Sequence, residues 1–579
     1  MHPHLAFGVC SALALGLSLP GQLAPTVADA IKKEGLENSK VMDYLDQLTN
    51  GIGARLTGSD NFTRACEWAR SEFEKMGLQN VHLEKWGEFP VGWNRGQWSG
   101  RVTQPIELEL QVATEAWTAG TKGRTSGRLV AAPKTAAEII AAGAALKSCW
   151  LLVGAAPRGG FPAAMREACL QVGAHGFVCS GYDGDQAFPN RLRVFGSHQV
   201  RWDKLPQVPE IKVRNDQYKQ VKALLDEGKD VLVEFDIRNQ WRKGPIEVHN
   251  VIAEIPGREK PEEVVVVCGH LDSWHQATGT TDNGTGTTST MEAARILAAV
   301  GAQPRRTIRF MLWGGEEQGL LGSRAYVQKH RQEMEKVSCV FNHDTGTNWA
   351  NSLTVSNGMY EDMRKVFEPV MTMTPPDPQH EGPVFQLNKA ETISGGGGSD
   401  HASFAAAGVP PMSWGLTGRS NYFQYTWHTQ WDTYDVAIPE YQQHTATVIA
   451  LAALGVADLP NLLDRSGVRA SGGGLDARTI LGSAWGLEFD ELKIKSVVAD
   501  GAGAKAGFKA GDVLVAIGDT KLEKLQDLRT AMREVESPWT ITVLRSNERV
   551  PIKIERPRMG RRGESRPSSA PGENPRRGG

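Results

Sequence analysis

Three apolar runs set the frame of the chain. Residues 264–267 are four consecutive valines, residues 307–312 read TIRFML, and residues 337–341 read VSCVF. Continuous runs of this length, rich in β-branched and large apolar residues, predict strands buried on both faces. Between and beyond them apolar positions recur at helical spacing. Residues 251–454 therefore predict an α/β domain, with a mainly parallel mixed sheet sandwiched by helices. Upstream, residues 31–101 open with a helix-like stretch. A turn at Thr57-Gly58-Ser59-Asp60 follows, and a strongly periodic helix is expected over residues 63–76.

From about residue 113 to residue 240 the texture changes. Short β-rich runs, such as 149–153 and 176–179, alternate with small helical stretches and carry no cluster of candidate ligands. This predicts an inserted β-rich domain over 113–240, interrupting an α/β domain made of 31–112 and 241–464. After Asp458 the composition loosens through SGGG at 471–474, which reads as a linker to a separate β-rich unit over 475–556. The last stretch, 557–579, is rich in Arg, Pro, Gly and Ser without hydrophobic period, and is expected to be a disordered tail. A length of 579 residues agrees with several domains.

The first thirty residues read as an address. The apolar run 5–19 is too short to span a bilayer, and Ala28-Asp29-Ala30 fits a small-x-small cleavage site. A signal peptide and a secreted or periplasmic protein are expected. The n-region has His2 and His4 but no Lys or Arg, which leaves a buried N-terminal helix as the alternative. No later run is long and apolar enough for a transmembrane anchor. The formal net charge of -2 gives no basic field of the kind that holds nucleic acid. Beyond Cys10 the cysteines are Cys66, Cys149, Cys169, Cys179, Cys268 and Cys339, with no C-x-x-C pair. That spacing excludes a structural zinc knuckle; buried thiols are expected, with pairing among Cys149, Cys169 and Cys179 left open.

Candidate chemistry gathers just after the predicted strands. His270 and Asp272 follow the first run, Glu316 and Glu317 the second, and Asp344 the third, while Asp282 and His428 lie in loops. In open α/β sheets ligands bind outside the carboxyl ends of strands, so one crevice should collect all seven. Imidazoles and carboxylates suit Zn²⁺, and two neighbouring ions need a shared carboxylate plus two further protein ligands each. The set supplies these: Asp282 bridging, His270 and Asp344 on one ion, Glu317 and His428 on the other. Glu316, adjacent to a ligand but pointing elsewhere, becomes the candidate general base. Asp272, two residues after His270 along an extended chain, is expected to orient the imidazole.

The segments VVVCGHLDSW (265–274), TDNGTGT (281–287), LWGGEEQGLLGS (312–323), NHDTGT (342–347), SDHASFAAAGVP (399–410) and WHTQWDT (427–433) resemble the co-catalytic di-zinc exopeptidases, a group that includes secreted bacterial aminopeptidases and plasma glutamate carboxypeptidase. YLDQLTNGIGARLTGS (44–59) looks like that family's opening. The resemblance implies two Zn²⁺ held by His270, Asp282, Glu317, Asp344 and His428, Glu316 as base, and Asp272 supporting the metal site. It implies hydrolysis of terminal residues from peptides or dipeptides. Two other functions share this fold: a glutaminyl cyclase-like acyl transfer, and a metal-free receptor or scaffold. The position after the bridging Asp, often Asp in the family, is Asn283 here.

Ser399-Asp400-His401 is expected to be structural, and Trp274 and His275 are candidates either for the pocket wall or for packing. The insert resembles a protease-associated domain by its placement. AGFKAGDVLVAIGDTKL (506–522), with GLEF (486–489) as the candidate carboxylate-binding turn, resembles a PDZ domain. Such a domain binds a peptide C-terminus as an added strand; the alternative is a docking module with no peptide ligand. Glu488 stands where that family usually has a small residue.

Overall fold

The structure, a computed structural model, describes residues 23–155, 160–396, 398–469, 485–497, 502–523, 527–528 and 538–554. The apolar run of the expected signal segment, the linker at 471–474 and the tail at 557–579 lie outside these residues. Contacts divide the chain into two units, residues 1–473 and 474–579.

The first unit is built on an eight-stranded sheet. Its strands are β1 (Gln79–Asn94), β2 (Gln240–Ile255), β3 (Lys260–His270), β4 (Arg306–Trp313), β5 (Val337–Asn342), β6 (Trp349–Ser356), β7 (Gln386–Ala390) and β8 (Pro411–Thr417). They lie in the order β1-β2-β4-β3-β5-β8-β6-β7. The centre, β4-β3-β5-β8, is parallel. β1, β2 and β4 pair antiparallel, as do β8 and β6, while β7 pairs parallel with β6. The mainly parallel sheet expected from the apolar runs is thus parallel where those runs lie. Besides the β8–β6 pair, the antiparallel part comes from β1 and β2, sixteen residues each, which form one long ribbon from Gln79↔Glu254 to Asn94↔Gln240.

That ribbon is the stem of a second eight-stranded sheet, formed by Trp98–Gln104, Leu108–Leu110, Val112–Ala113, Thr125–Ala131, Cys149–Ala155, Gly176–Ser180, Glu210–Val213 and Leu232–Ile237. It begins at Trp98, ahead of the texture change near residue 113, because Trp98–Gln104 pairs with Leu232–Ile237 as the chain leaves and re-enters the ribbon. Cys149, Cys169 and Cys179 are buried and unpaired, and burial pushes the Cys169 and Cys179 thiols up to about 12.

Helices cover the first sheet: α1 (Pro25–Glu37), α2 (Asp60–Lys75), α3 (Thr285–Ala299), α4 (Leu321–Lys329), α5 (Tyr360–Met371) and α6 (Pro439–Ala457). Residues 28–30 lie within α1, where Ala28 and Ile31 are buried. α2 starts earlier than its apolar period suggests because Ser59 caps it, its Oγ accepting from Phe62 N at 3.2 Å. Phe62, Ala65, Cys66, Ala69 and Phe73 then form one buried stripe. α3 and α6 are buried along most of their length, which is why both are rich in Ala, Thr and Gly rather than amphipathic. Among the described residues, no helix is long and apolar enough to cross a membrane.

The second unit carries a six-stranded sheet of Leu487–Asp490, Lys493–Val497, Val513–Ile517, Thr520–Lys521, Trp539–Arg545 and Glu548–Ile554. Trp485, Phe489, Phe508 and Trp539 are among its core residues. Arg545 forks onto the Asp512 carboxylate with two bonds of 2.7 Å.

Candidate metal centre

The register of the parallel strands brings the carboxyl ends of β3, β4 and β5 level. His270 pairs with Trp313 and Cys268 with Asn342. His270 therefore ends β3, Glu316 lies three residues past the end of β4, and Asp344 two past β5. Asp282 is carried on the loop into α3, and that loop is drawn onto β3 by two glycines. A Cβ on Gly269 would lie 2.8 Å from Gly286 C, and one on Gly286 would lie 2.3 Å from Asn283 Oδ1 and from His343 O. Only bare backbone allows helix and strand this close. Thr287 Oγ1 adds a 2.7 Å bond to His270 O.

The outcome is convergence of the expected residues. His270 Nε2 lies 3.3 Å from Asp282 Oδ1, 3.7 Å from Asp344 Oδ1 and 3.9 Å from Glu316 Oε2. His428 Nε2 lies 3.1 Å from both Asp282 Oδ2 and Glu317 Oε2. Two donor sets emerge whose atoms lie within 4.8 Å of one another: His270, Glu316 and Asp344; and His270, Asp282 and Glu317. Glu316 is nearly as close to His270 as Asp344 is, so distance alone does not separate a ligand from a base.

Asp272 is also in place, with a different set of partners from the expected one. The His270 imidazole bonds through Nδ1 to the Asp272 backbone carbonyl at 2.9 Å, and the carboxylate stands 3.7 Å away. The carboxylate instead accepts from Thr57 Oγ1 at 2.9 Å and from the amides of Glu316 and Glu317 at 3.2 and 3.3 Å. It thereby fixes the turn that presents both glutamates, while Trp274 N–H donates to Glu317 Oε1 at 3.2 Å.

His428 and Thr345, beside Asp344, adopt left-handed backbone with φ of 61° and 77°. Such strain in side-chain-bearing residues clusters where geometry serves function. Asn283 explains itself: its Nδ2 donates to His343 O and its Oδ1 accepts from Gly286 N, each at 2.9 Å. A carboxylate could make only the second bond.

Electrostatics shows what the set lacks. Burial raises the Glu317 carboxyl to about 7, with repulsion from Asp282 adding to it. Burial lifts Glu316 well above the ordinary carboxylate range. Burial works against a charged His428, but Glu317 and Asp282 outweigh it and hold the imidazole up to about 9. Four carboxylates, Asp282 buried and Glu316, Glu317 and Asp344 half-buried, thus share two imidazoles. His270 Nε2 and Asp282 Oδ2 are buried and find no hydrogen-bond partner among the described residues. The nearby Arg55 guanidinium is committed to carbonyl groups. Divalent cations supply both the missing positive charge and acceptors for the free lone pairs, so the donor set fits them.

Several residues here carried no assignment in the sequence. Asp432 accepts from Thr281 N at 2.6 Å, Thr281 Oγ1 at 2.7 Å and Asp282 N at 3.2 Å, holding the Asp282 loop. It stands within WHTQWDT, and Arg55 and Thr57 within the 44–59 segment, so the motif blocks contained all three. Trp274 lines a small pocket with Asp282, Glu317, His428 and Asp432. His275 is packed instead, edge-on to Trp93 and Trp98, with its Nε2 3.0 Å from Thr114 O. His401 is held by Gly396 O at 2.7 Å, and Ser399 Oγ accepts from Asn342 Nδ2 at 2.9 Å.

Comparison with known proteins agrees with this geometry. Residues 250–453 match the model of peptidase family M28, and residues 493–545 match a PDZ domain. Carboxypeptidase Q of Mus musculus is 28% identical over 442 residues, 75% of this chain and 88% of that protein. Leupeptin-inactivating enzyme 1 of Streptomyces exfoliatus is 34% identical over 163 residues, 28% of this chain and 34% of its own. A solved peptidase M28 precursor from Shewanella amazonensis SB2B aligns at a TM-score of 0.54 with 25% identity, covering 76% of this chain and 98% of that one. Residues 250–453 are thus a metallopeptidase domain of the M28 kind, followed in the chain by a PDZ domain.

Proposed function

We propose that the centre holds two zinc ions and hydrolyses terminal residues of peptides or dipeptides, with Glu316 as general base. The observation that carries this reading is the meeting of His270, Asp282, Glu317, Asp344 and His428 at one strand edge, with buried donor atoms lacking protein partners. Asp282 would be shared between the two ions, with His270 and Asp344 holding one and Glu317 and His428 the other. Bound zinc supplies Lewis acidity toward the scissile carbonyl and acidifies the attacking water. Glu316 accepts that water's proton and returns it to the leaving amine nitrogen. The His270 Nδ1–H donates to the Asp272 carbonyl, which leaves Nε2 with a free lone pair.

We further infer that the region expected as a protease-associated insert over 113–240, carried on the second sheet, is such a domain, that the PDZ domain takes a peptide C-terminus, and that the protein is exported. The relatives' names, a carboxypeptidase and a leupeptin-inactivating enzyme, support peptide substrates.

Metal removal tests the reading. Chelation is expected to abolish release of amino acids from a dipeptide and tetrapeptide panel, and Zn²⁺ to restore it. Undiminished turnover in metal-depleted protein would contradict it, and cyclised product from Gln-initiated peptides, without released amino acid, would favour acyl transfer. A second expectation concerns Asp272. Asp272→Ala removes the anchor of both glutamate amides, and kcat/KM is expected to fall about 10–100-fold, the range for groups that orient metal ligands. A rate within twofold of wild type in steady-state assays would show that the Glu316–Glu317 turn holds itself.

A further inference from the structure

We infer that Phe195, supplied by the second sheet, is a specificity-determining residue, forming with Trp274 and Trp427 an apolar wall that receives a large, uncharged apolar side chain of the substrate residue beside the scissile bond. The inference rests on the proteolytic reading above and deepens it by naming a substrate class. Phe195 lies in the connection between strands Gly176–Ser180 and Glu210–Val213, far in sequence from any metal-site residue. Yet its ring stands edge-on to His428, with centroids 4.9 Å apart, and 6.1 and 6.0 Å from Trp274 and Trp427. Trp274 and His428 line the cavity beside Asp282 and Glu317, so this wall is continuous with the reaction site.

The ring is placed by a built connection. Val194 N donates to His428 O at 3.1 Å, Leu192 N to Gln430 Oε1 at 2.6 Å, and Gln430 Nε2 back to Asn190 O at 3.0 Å. Arg191 and Arg193 reach the carbonyls of Gln424 and Phe423 at 2.8 and 2.9 Å. On its other side Phe195 N–H donates to Glu115, which Lys212 also binds. A segment held at both ends nevertheless leaves Phe195 40% exposed. A large apolar ring fixed in that state beside a reaction centre has surface available for a ligand to cover.

Charge selects the occupant. Arg193 stacks over Trp427 with its guanidinium carbon 4.8 Å from the ring centroid, so the aromatic face already carries a cation. A lysine or arginine side chain would meet like charge there. Its Nη2 is engaged by Phe423 O and its Nη1 faces Asp183, while Nε is buried, which leaves less for an acidic side chain. An uncharged apolar side chain covers the rings at no such cost.

The test uses the full-length, zinc-loaded protein and matched peptides that differ only in the residue beside the scissile bond: Ala, Leu, Phe or Lys. Wild type is expected to favour Leu and Phe over Ala and to cleave the Lys peptide least. Phe195→Ala is expected to reduce the Leu-over-Ala ratio of kcat/KM by about 10-fold or more, the scale set by losing apolar contact in a specificity pocket. Phe195→Leu should recover most of the ratio, and zinc content should match wild type in both. Equal losses on all peptides, or loss of zinc from Phe195→Ala, would make Phe195 a support for His428 and overturn the inference, as would a wild-type preference for Lys. A wild type that cleaves none of the peptides would instead sink the proteolytic reading itself.

Discussion

Glu316→Gln is expected to lower kcat by about 10²–10⁴-fold, the contribution of a positioned proton-transfer group, while leaving two zinc ions bound. Gln keeps the shape of the side chain but its amide cannot take a proton from water. The zinc count matters because Glu316 Oε2 lies 3.9 Å from His270 Nε2, close to the 3.7 Å of Asp344 Oδ1. A base and a ligand are therefore distinguished by what survives the substitution. Retained zinc with lost turnover identifies the proton carrier. Loss of one zinc in elemental analysis would make Glu316 a ligand, and another group would have to move the proton.

The second large effect is on stability. Arg55 is fully buried, and its guanidinium donates to Leu271 O at 2.8 Å, Gly53 O at 3.1 Å, Thr278 O at 2.7 Å and Gly279 O at 2.7 Å. Its amide donates to Ser273 Oγ at 3.0 Å. One side chain thus ties the segment before α2 to both ends of the loop between His270 and Asp282. Burial lowers the guanidinium to about 10, with Asp432, Asp272, Asp282 and Glu317 pulling the other way, so the group stays charged near neutral pH. Arg55→Met fills similar space but strands four carbonyls, and a loss of about 3–5 kcal/mol is expected, as when one partner of a buried charged network is removed. Denaturant unfolding measures it. An unchanged midpoint would mean that water replaces the fork without penalty. Arg55→Lys, with charge but no fork, should fall between the two.

The sequence made the catalytic sheet legible where apolar runs were continuous. Residues 264–267, 307–312 and 337–341 all lie in central strands, because burial on both faces leaves no polar alternation to confuse the pattern. Of the candidate ligands, His270, Glu317 and Asp344 were legible for a related reason: each follows such a run, and parallel register makes those ends meet. The antiparallel ribbon was less visible, since β1 mixes buried and exposed positions irregularly and includes a proline. The start of the second sheet was hidden for the same reason, as Trp98–Gln104 resembles the ribbon it continues. Asp272 shows another limit. Spacing placed it beside His270, but only the folded backbone reveals that its carbonyl serves the imidazole while its carboxylate serves the two glutamates. Phe195 had no local signal, because its role depends on a neighbour contributed from the other end of the domain.

The bond from Arg191 to Gln424 O joins positions separated by 233 residues, and the one from Val194 to His428 lies alongside it. Closing a loop of that length costs chain entropy that only later contacts repay, so this seam should be among the last parts of the unit to form. His428 reaches its left-handed backbone in the same neighbourhood, so the metal centre and this seam share a residue. A chain still emerging from the ribosome lacks His428, and with it a complete metal centre, until most of the scaffold has been made.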